Sequence, residues 1–450
     1  MTPSDRSAGR EDPPPDEDAE PDCDVASDGD DSLHVVHLYD GHEQVYEGRG
    51  SVPGVVWNLA RETAAAGDDV TVIERQWAGL DAFATHEGVD FERLPLSTGA
   101  DEPWERVPYE QVTSPVGVTR LVADRTNFAL QAYRYLRERS FDVLHVHLPF
   151  AASVLLTAAP GLADRTVYTA HLGELRLDAL TEDQQGSDDA GAVDAPAILS
   201  VASPDVYLAR RAAHTTVLND TIADGFAERG VDRSSLSVLP NGVDLDRFTN
   251  VSCSEVERVR DRYDLGDDPV LLFVGTIMPR KGVVDLLRAM GTFAETGGSF
   301  QLLVAGEDDL DGEYVAEVRE TAREEGVADS VGFPGFVPAE DLPALYAAAD
   351  LFVMPSREEG FGMTVVEALA TGTPVVGTRV GAIPEIVDEG VHGFTVDPDD
   401  PDALAAAIDR ALEKFGDNDK IMTATRERAE EYSWDAVGTT CRRIYRRVVQ

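Results

Sequence analysis

Glu359 and Glu367 flank the loop Gly360-Phe361-Gly362-Met363-Thr364, which follows the apolar run Leu351–Met354. A strand is predicted over that run and a helix from about Met363. Two glycines let backbone approach a ligand closely. The amides that open a helix suit an anion, above all a phosphate. Glu359, in the loop, can then face a sugar while Glu367, on the early turns of the helix, reaches a ribose. The competing reading is ordinary acid enrichment in an acidic chain, and for Glu358 that reading is accepted.

A second segment, Gly275-Thr276-Ile277-Met278-Pro279-Arg280-Lys281-Gly282, follows another buried-type strand and leads into a helix near Val283. In open α/β sheets ligands bind beyond the carboxyl ends of strands. Arg280 and Lys281 at such a place suit a diphosphate; a solvated Arg-Lys turn is the alternative. Of the 38 basic residues only Lys281, Lys414 and Lys420 are lysines, so Lys281 is a rare residue here. A third segment, Gly48-Arg49-Gly50-Ser51-Val52-Pro53-Gly54, precedes a helix, and Glu74 ends the next strand. This imitates a dinucleotide fingerprint, but with the spacing G-x-G-x-x-x-G, so a nicotinamide site is disfavoured. A glycine loop including Gly50, its amides facing a phosphate, is the weaker claim that survives.

His145 and His147 share one face of a strand, and His171 ends another. A metal could use the pair, but no third ligand has a recognisable spacing. A histidine at a strand's carboxyl end near an inter-domain crevice is better placed to hydrogen-bond a substrate. Asp244-Leu245-Asp246 imitates a metal-binding D-x-D, yet it follows the turn Pro240-Asn241-Gly242 and reads as the start of a helix.

Stepping strand by strand, these residues need a particular frame. At ~100–200 residues per domain, 450 residues make two or three domains. Residues 1–32 carry twelve acids, two arginines and a triple proline, and are expected to be a disordered, solvating tail. From His34 strands and helices alternate. Strands are predicted near residues 33–39, 70–74, 142–147, 166–170, 215–218 and 237–239, with a long helix over 119–139. The polar stretch 176–200 interrupts them as a loop insertion. After Arg247 the alternation restarts, with strands predicted near 270–275, 301–306, 329–333, 351–354 and 374–377. Such alternation implies parallel sheets covered on both faces, hence two doubly wound α/β domains of Rossmann-like type. Their expected spans are 33–245 and 246–432. A last helix, 434–449, carries Arg442, Arg443, Arg446 and Arg447, which suit its dipole.

At these motifs the chain resembles the family-4 retaining glycosyltransferases, which have the GT-B fold. Glu359…Glu367 matches their E-x7-E, within a block continuing Ala368-Leu369-Ala370-Thr371-Gly372-Thr373-Pro374-Val375-Val376. Val274-Gly275-Thr276…Arg280-Lys281-Gly282 is similar to their phosphate-clamp strand, and Pro240-Asn241-Gly242-Val243-Asp244 to their inter-domain linker. Phe141-Asp142-Val143-Leu144-His145-Val146-His147 is similar to the strand bearing their sugar-contacting histidine. The resemblance spans about residues 33–450 and implies two domains facing a central cleft, the last helix packing back on the first. It implies transfer of a hexose from a nucleotide-diphosphate sugar to a glycan, lipid-linked or small-molecule acceptor. Lys281 and Arg280 would hold the diphosphate, Glu359 and His147 the transferred sugar, and Glu367 the ribose. Gly360, Phe361, Gly362, Met363, Thr364, Gly275 and Gly50 would line the nucleotide-sugar site. No metal and no cofactor beyond the nucleotide sugar are implied. Thr276 stands where the family usually has Arg, and Gly50-Ser51 where it usually has Gly-Gly. Another GT-B enzyme, such as a nucleotide-sugar epimerase or a phosphorylase, stays open, although no pyridoxal-lysine motif of the phosphorylase type is found. So does a catalytically silent sugar-nucleotide binder, against which Glu359, Lys281 and Glu367 argue.

Composition sets the outer limits. With 84 acids against 38 bases the formal net charge is −46, which excludes nucleic-acid binding by bulk electrostatics and argues against docking on anionic lipid. No apolar run of 18 residues occurs, so no transmembrane span is expected. The acidic start is not that of a signal peptide. Cys23, Cys253 and Cys441 are too scattered for a disulfide framework or zinc site and fit a reducing cytosol. The expected location is therefore cytoplasmic, with peripheral contact at the inner face of the membrane left open for a lipid-linked acceptor. Acid-rich, lysine-poor composition resembles that of cytosolic proteins from salt-in halophiles, where a Debye length of ~3 Å at molar salt makes such self-repulsion tolerable. Compactness is accordingly expected to be lost at tens of millimolar KCl. Circular dichroism across a KCl series checks this, and an unchanged spectrum and melting point would reject the halophilic reading.

Overall fold

The computed structural model of the chain describes residues 32–48, 50–77, 79–95, 115–171, 203–308, 311–416 and 419–450. Residues 1–31 of the expected acidic tail (1–32) and the whole insertion 176–200 lie outside the described residues. In the first half, strands β1 (His34–Leu38), β2 (Asp69–Arg75), β3 (Phe83–His86), β4 (Val89–Leu94), β5 (Val143–Val146), β6 (Thr166–Thr169), β7 (His214–Val217) and β8 (Leu236–Val238) form one sheet. Their order is β3-β4-β2-β1-β5-β6-β7-β8, parallel except for the antiparallel pair β3 and β4. Helices α1 (Ser51–Ala65), α2 (Pro115–Leu136), α3 (Pro149–Ala158), α4 (Pro204–Ala209) and α5 (Asp220–Glu228) connect them.

In the second half, β9 (Val270–Val274), β10 (Gln301–Ala305), β11 (Val331–Gly335), β12 (Leu351–Met354), β13 (Val375–Thr378) and β14 (Gly393–Val396) form a parallel sheet of order β11-β10-β9-β12-β13-β14. The helices are α6 (Leu245–Thr249), α7 (Cys253–Arg262), α8 (Val283–Glu295), α9 (Gly312–Glu324), α10 (Leu342–Ala348), α11 (Met363–Thr371), α12 (Ile383–Ile386), α13 (Pro401–Phe415), α14 (Asp419–Glu430) and α15 (Trp434–Val449). The central strands read as unbroken apolar runs because helices cover both of their faces. Leu351–Met354, for instance, is apolar and buried at every position. The chain is thus an α/β protein with two parallel-sheet domains.

Two strand regions escaped the sequence reading. The hairpin β3–β4 has exposed and half-buried positions on its edge strand, and its turn is Glu87-Gly88, both at positive φ, rather than an Asn-Gly or Asp-Gly signal. β14 is only four residues long and begins at a glycine. β11 starts at Val331 rather than Asp329 because Ala328–Ser330 form a 3-10 turn. Among the described residues no helix is long and apolar enough to cross a membrane. Cys253 and Cys441 are free thiols.

The chain crosses between the two sheets twice, and the two passages touch: Val243 bridges Ser433. Helix α15 then lies on the first sheet. Trp434, Val437, Cys441 and Ile444, spaced three or four apart, pack together with Tyr445 against Val35, Val55, Leu59, Val143 and Val167. Arg442 Nε donates to Asp68 Oδ2 at 2.6 Å, so this arginine serves the packing of the helix. The Trp434 indole sits against Gly242, where an added Cβ would collide with it. Replacing Trp434 with alanine is expected to cost ~3–5 kcal/mol, the usual scale for an emptied aromatic site. Replacing the exposed Val449 with alanine is expected to cost less than ~0.5 kcal/mol. Urea unfolding of the two variants at fixed salt checks the contrast.

Candidate active site

β9 and β12 are neighbours in the second sheet and run parallel, so the loops at their carboxyl ends meet. The first loop turns through Pro279–Lys281, one turn of 3-10 helix closed by Gly282 at φ +67°. A Cβ at Gly282 would run into the Pro355 carbonyl, so glycine is needed for the two loops to approach. Arg357 N donates to Arg280 O at 2.8 Å and ties the loops together. Lys281, 8% exposed, donates through Nζ to Glu359 Oε2. The rare lysine and the first glutamate of the spaced pair therefore form one ion pair.

Gly362, at φ +92°, turns the chain into α11, whose amino end has no side-chain cap and no acid in its first turn. Its opening amides remain available to an anion. Opposite, Asn219 caps α5 by accepting from Ile222 N at 2.8 Å, and its amide donates to Gly360 O at 2.9 Å. A cap of the first domain thereby holds the glutamate loop of the second.

These elements enclose a cleft of about 430 Å³. Gly275, Arg280, Lys281, Glu359, Gly360, Phe361, Gly362, Met363 and Thr364, all singled out from sequence, line it. The facing wall comes from the first domain: Ser51, Val52 and Val55 of α1, His171 after β6, Leu218 after β7, and Asn241. Glu358, set aside in the sequence reading, lines the cleft as well, as does Thr276.

Three proposed site residues stand off the wall. Glu367 is half-buried and accepts a hydrogen bond from the Tyr346 hydroxyl at 2.9 Å. Burial pushes its carboxyl up to about 7, against the pull of that hydroxyl. Gly50 precedes α1, and its N–H donates to Glu43 Oε2 at 2.7 Å, so an internal carboxylate occupies the place expected for a phosphate. His147 is 1% exposed and lies behind His171, with Nδ1 3.3 Å from His171 Nε2 and Nε2 2.9 Å from His37 Nδ1. The reason is lateral: β6 lies beside β5, and His171, just past β6, sits against His147 at the end of β5. His171 was visible in the sequence as a residue ending a strand; Ser51 and Asn241 were visible only as loop positions.

The remaining motifs are structural. Glu74 is fully buried, accepting from Val45 N at 2.7 Å and Arg93 Nε at 2.8 Å, so it is not free to bind a ribose. Asp244 caps α6 by accepting from Arg247 N. Among the described residues, the histidines His37, His145 and His147 have ligand atoms within 4.8 Å of one another, His37 being the third that spacing could not reveal. They are buried behind the cleft wall rather than on it.

The family profile "Glycosyltransferase Family 4" matches residues 52–247, and "Glycosyl transferases group 1" matches residues 256–431. The D-inositol 3-phosphate glycosyltransferase of Corynebacterium urealyticum is 30% identical over 411 residues, covering 89% of this chain and 92% of that one. The GDP-mannose-dependent alpha-(1-6)-phosphatidylinositol monomannoside mannosyltransferase of Mycolicibacterium smegmatis is 38% identical over 190 residues, 41% of this chain. That match spans about half the relative's length, 48%. Anabaena HepE, crystallised with UDP-glucose, superposes with a TM-score of 0.65 at 19% identity, covering 92% of this chain and all of the other. The full-length match, the two profiles and the paired parallel-sheet domains make this chain a member of the family-4 glycosyltransferases of GT-B fold.

Proposed function

We propose that the chain transfers a hexose from a nucleotide-diphosphate sugar to an acceptor with retention of anomeric configuration. The observation that carries this is the meeting, in one cleft, of the Lys281–Glu359 pair and the uncapped amino end of α11. Departure of a nucleoside diphosphate leaves negative charge on its phosphate oxygens. Lys281, Arg280 and the opening amides of α11 supply fixed positive charge for it. The anomeric carbon becomes oxocarbenium-like, and Glu359 is the carboxylate at hand for it. The contact that the family resemblance gave to His147 passes to His171, the histidine on the cleft wall. Glu367, half-buried on α11, is assigned to the ribose. The names of the relatives support a nucleotide-sugar donor, one being GDP-mannose-dependent and one holding UDP-glucose. No metal is assigned to the transfer step, because cations and helix amides of the chain itself face the diphosphate position.

A screen of UDP-, GDP- and ADP-sugars in molar KCl with EDTA present tests the reading. The true donor should stabilise the protein by ~2.7 kcal/mol at a hundredfold excess over its dissociation constant. Its sugar should appear in the product with the donor's anomeric configuration by proton NMR. An inverted product removes retention; loss of activity in EDTA with rescue by Mg²⁺ or Mn²⁺ removes metal independence. A chain that neither binds, hydrolyses nor transfers any donor removes the function.

Kinetics separate the roles. Lys281→Ala is expected to lower turnover by ~10²–10³, the scale for removing one electrostatic donor. Glu359→Gln should lower turnover more than it raises the Michaelis constant. Glu367→Gln should do the reverse, because the ribose does not change during the reaction. Turnover loss confined to Glu367→Gln, with Glu359→Gln affecting only the Michaelis constant, would overturn the assignment.

A further inference from the structure

We propose that His37 and His147 are positioning residues that hold His171 in its Nδ1-protonated tautomer, so that the cleft meets a hydrogen-bond donor there. The inference rests on the reading of the cleft given above, and it extends that reading to side chains that never touch a substrate.

The geometry is that of a relay. His37 Nδ1 and His147 Nε2 are 2.9 Å apart, with ring planes within 9° and ring centroids 5.2 Å apart. That separation is the N···N distance plus one ring radius at each end, so the two imidazoles lie edge to edge in a shared plane. The next link repeats the pattern: His147 Nδ1 to His171 Nε2 is 3.3 Å, with planes 22° apart and centroids at 5.6 Å. Coplanar, head-to-head nitrogens are the arrangement of an N–H···N bond. Nitrogens sharing a tetrahedral metal would instead converge on a common point. His145 lies against this row but outside it: its Nδ1 meets the Tyr445 hydroxyl and its Nε2 the Thr169 hydroxyl, each at 2.6 Å.

The far end of the row sets its direction. His37 Nε2 is buried and has no partner among the described residues. Among buried polar groups an orphaned N–H is rarer than an acceptor lacking a donor. His37 therefore keeps its proton on Nδ1 and donates to His147 Nε2. His147 must then carry its proton on Nδ1 and donate to His171 Nε2. In a neutral imidazole only one nitrogen is protonated, so the proton of His171 falls on Nδ1. Burial keeps all three rings neutral in ordinary buffers, lowering His37 to about 3, His171 to about 4 and His147 well below the usual range. A donor at this wall suits a sugar hydroxyl or ring oxygen accepting a hydrogen bond; an imidazole base in that place would be the opposite arrangement.

The test is long-range proton–nitrogen correlation NMR on the full chain labelled with ¹⁵N-histidine, the His171 signals being assigned by their loss in His171→Gln. The expected result is a protonated Nδ1 and a bare Nε2 at His171. A protonated Nε2, or averaging between tautomers, overturns the proposal, as does stoichiometric zinc in the purified protein by mass spectrometry, because a metal would take the lone pairs that the links use. His147→Asn, whose amide can still donate from the Nδ1 position, should preserve the tautomer, and His147→Leu should let it average. An unchanged tautomer in folded His147→Leu would overturn the relay; should that variant not fold, the native spectrum and His147→Asn decide. Donor transfer is read separately. Transfer with the reversed tautomer removes the relay alone, while an Nδ1-protonated His171 in a chain that transfers nothing removes the functional reading alone.

Discussion

The arrangement of the second domain turns on one ammonium and one carboxylate, Lys281 and Glu359, brought together by the pairing of β9 with β12. Both side chains are mostly withdrawn from water, at 11% and 15% exposure. Such a pair gives back much of its Coulomb energy as lost hydration, so it is a weak source of stability. Its importance is positional. Each partner keeps the other from needing a different counter-ion, and each stays at the cleft surface. Under the proposed reading an arriving diphosphate becomes a second claimant on Lys281, and Glu359 is freed to face the carbon where positive charge develops. A site that rests on an internal pair is thereby ready for a ligand of the same charge as the partner it displaces.

The strong negative charge of the chain makes this local arrangement necessary. At ~0.15 M salt the Debye length is about 8 Å, so distant acids are screened while those around the cleft are not. Cations elsewhere on these loops are committed. Arg357, in the same segment as Glu359, donates to Asp285 at 2.8 Å and to Asp399 at 2.5 Å, which draws it away from the cleft. Gly50 N is held by Glu43. Among the described residues, those left to face an anion in the cleft are Arg280, Lys281 and the amino end of α11, all from the second domain. Among the described residues the first domain contributes an uncharged wall: Ser51, Val52, Asn241 and a histidine whose ring burial keeps neutral. Under the proposed reading the division places diphosphate chemistry on one side and leaves the other to shape and hydrogen bonding.

Much of this was readable in the residues. Strand β12 and helix α15 have the bounds that periodicity predicts, because one is a purely apolar run between polar loops and the other has a clean stripe ending near the chain terminus. The Gly362 turn and the lysine at the end of β9 follow from local rules about glycine, strands and helix termini. The histidines did not follow, and the reason is specific. Alternation along β5 gives the face that His145 and His147 share, but not which neighbouring strand overhangs that face. The ring that reaches the cleft follows β6, the ring behind it follows β5, and the innermost, His37, belongs to β1, where it stands in register with His145. Cross-strand order is a property of topology, so no spacing within one segment could rank three histidines by depth.

The same topology explains why a polar cluster can sit in the middle of the first sheet at all. Buried imidazoles are tolerated when hydrogen bonds replace lost hydration, and of the nitrogens of His37, His145 and His147 only His37 Nε2 lacks a partner among the described residues. For His145 the partners come from two sides: Thr169 on β6, itself joined to Thr216 on β7 at 2.7 Å, and Tyr445 on α15. Tyr445 is fully buried among Val35, Val143 and Val167, so its hydroxyl reaches His145 only because the last helix returns across the first sheet. The packing that secures α15 and the hydrogen bonds that secure the histidine row are therefore one construction. With its own nitrogens held from the side, His145 cannot compete for the links between His37, His147 and His171, and the row is left a single unbranched path ending at the cleft.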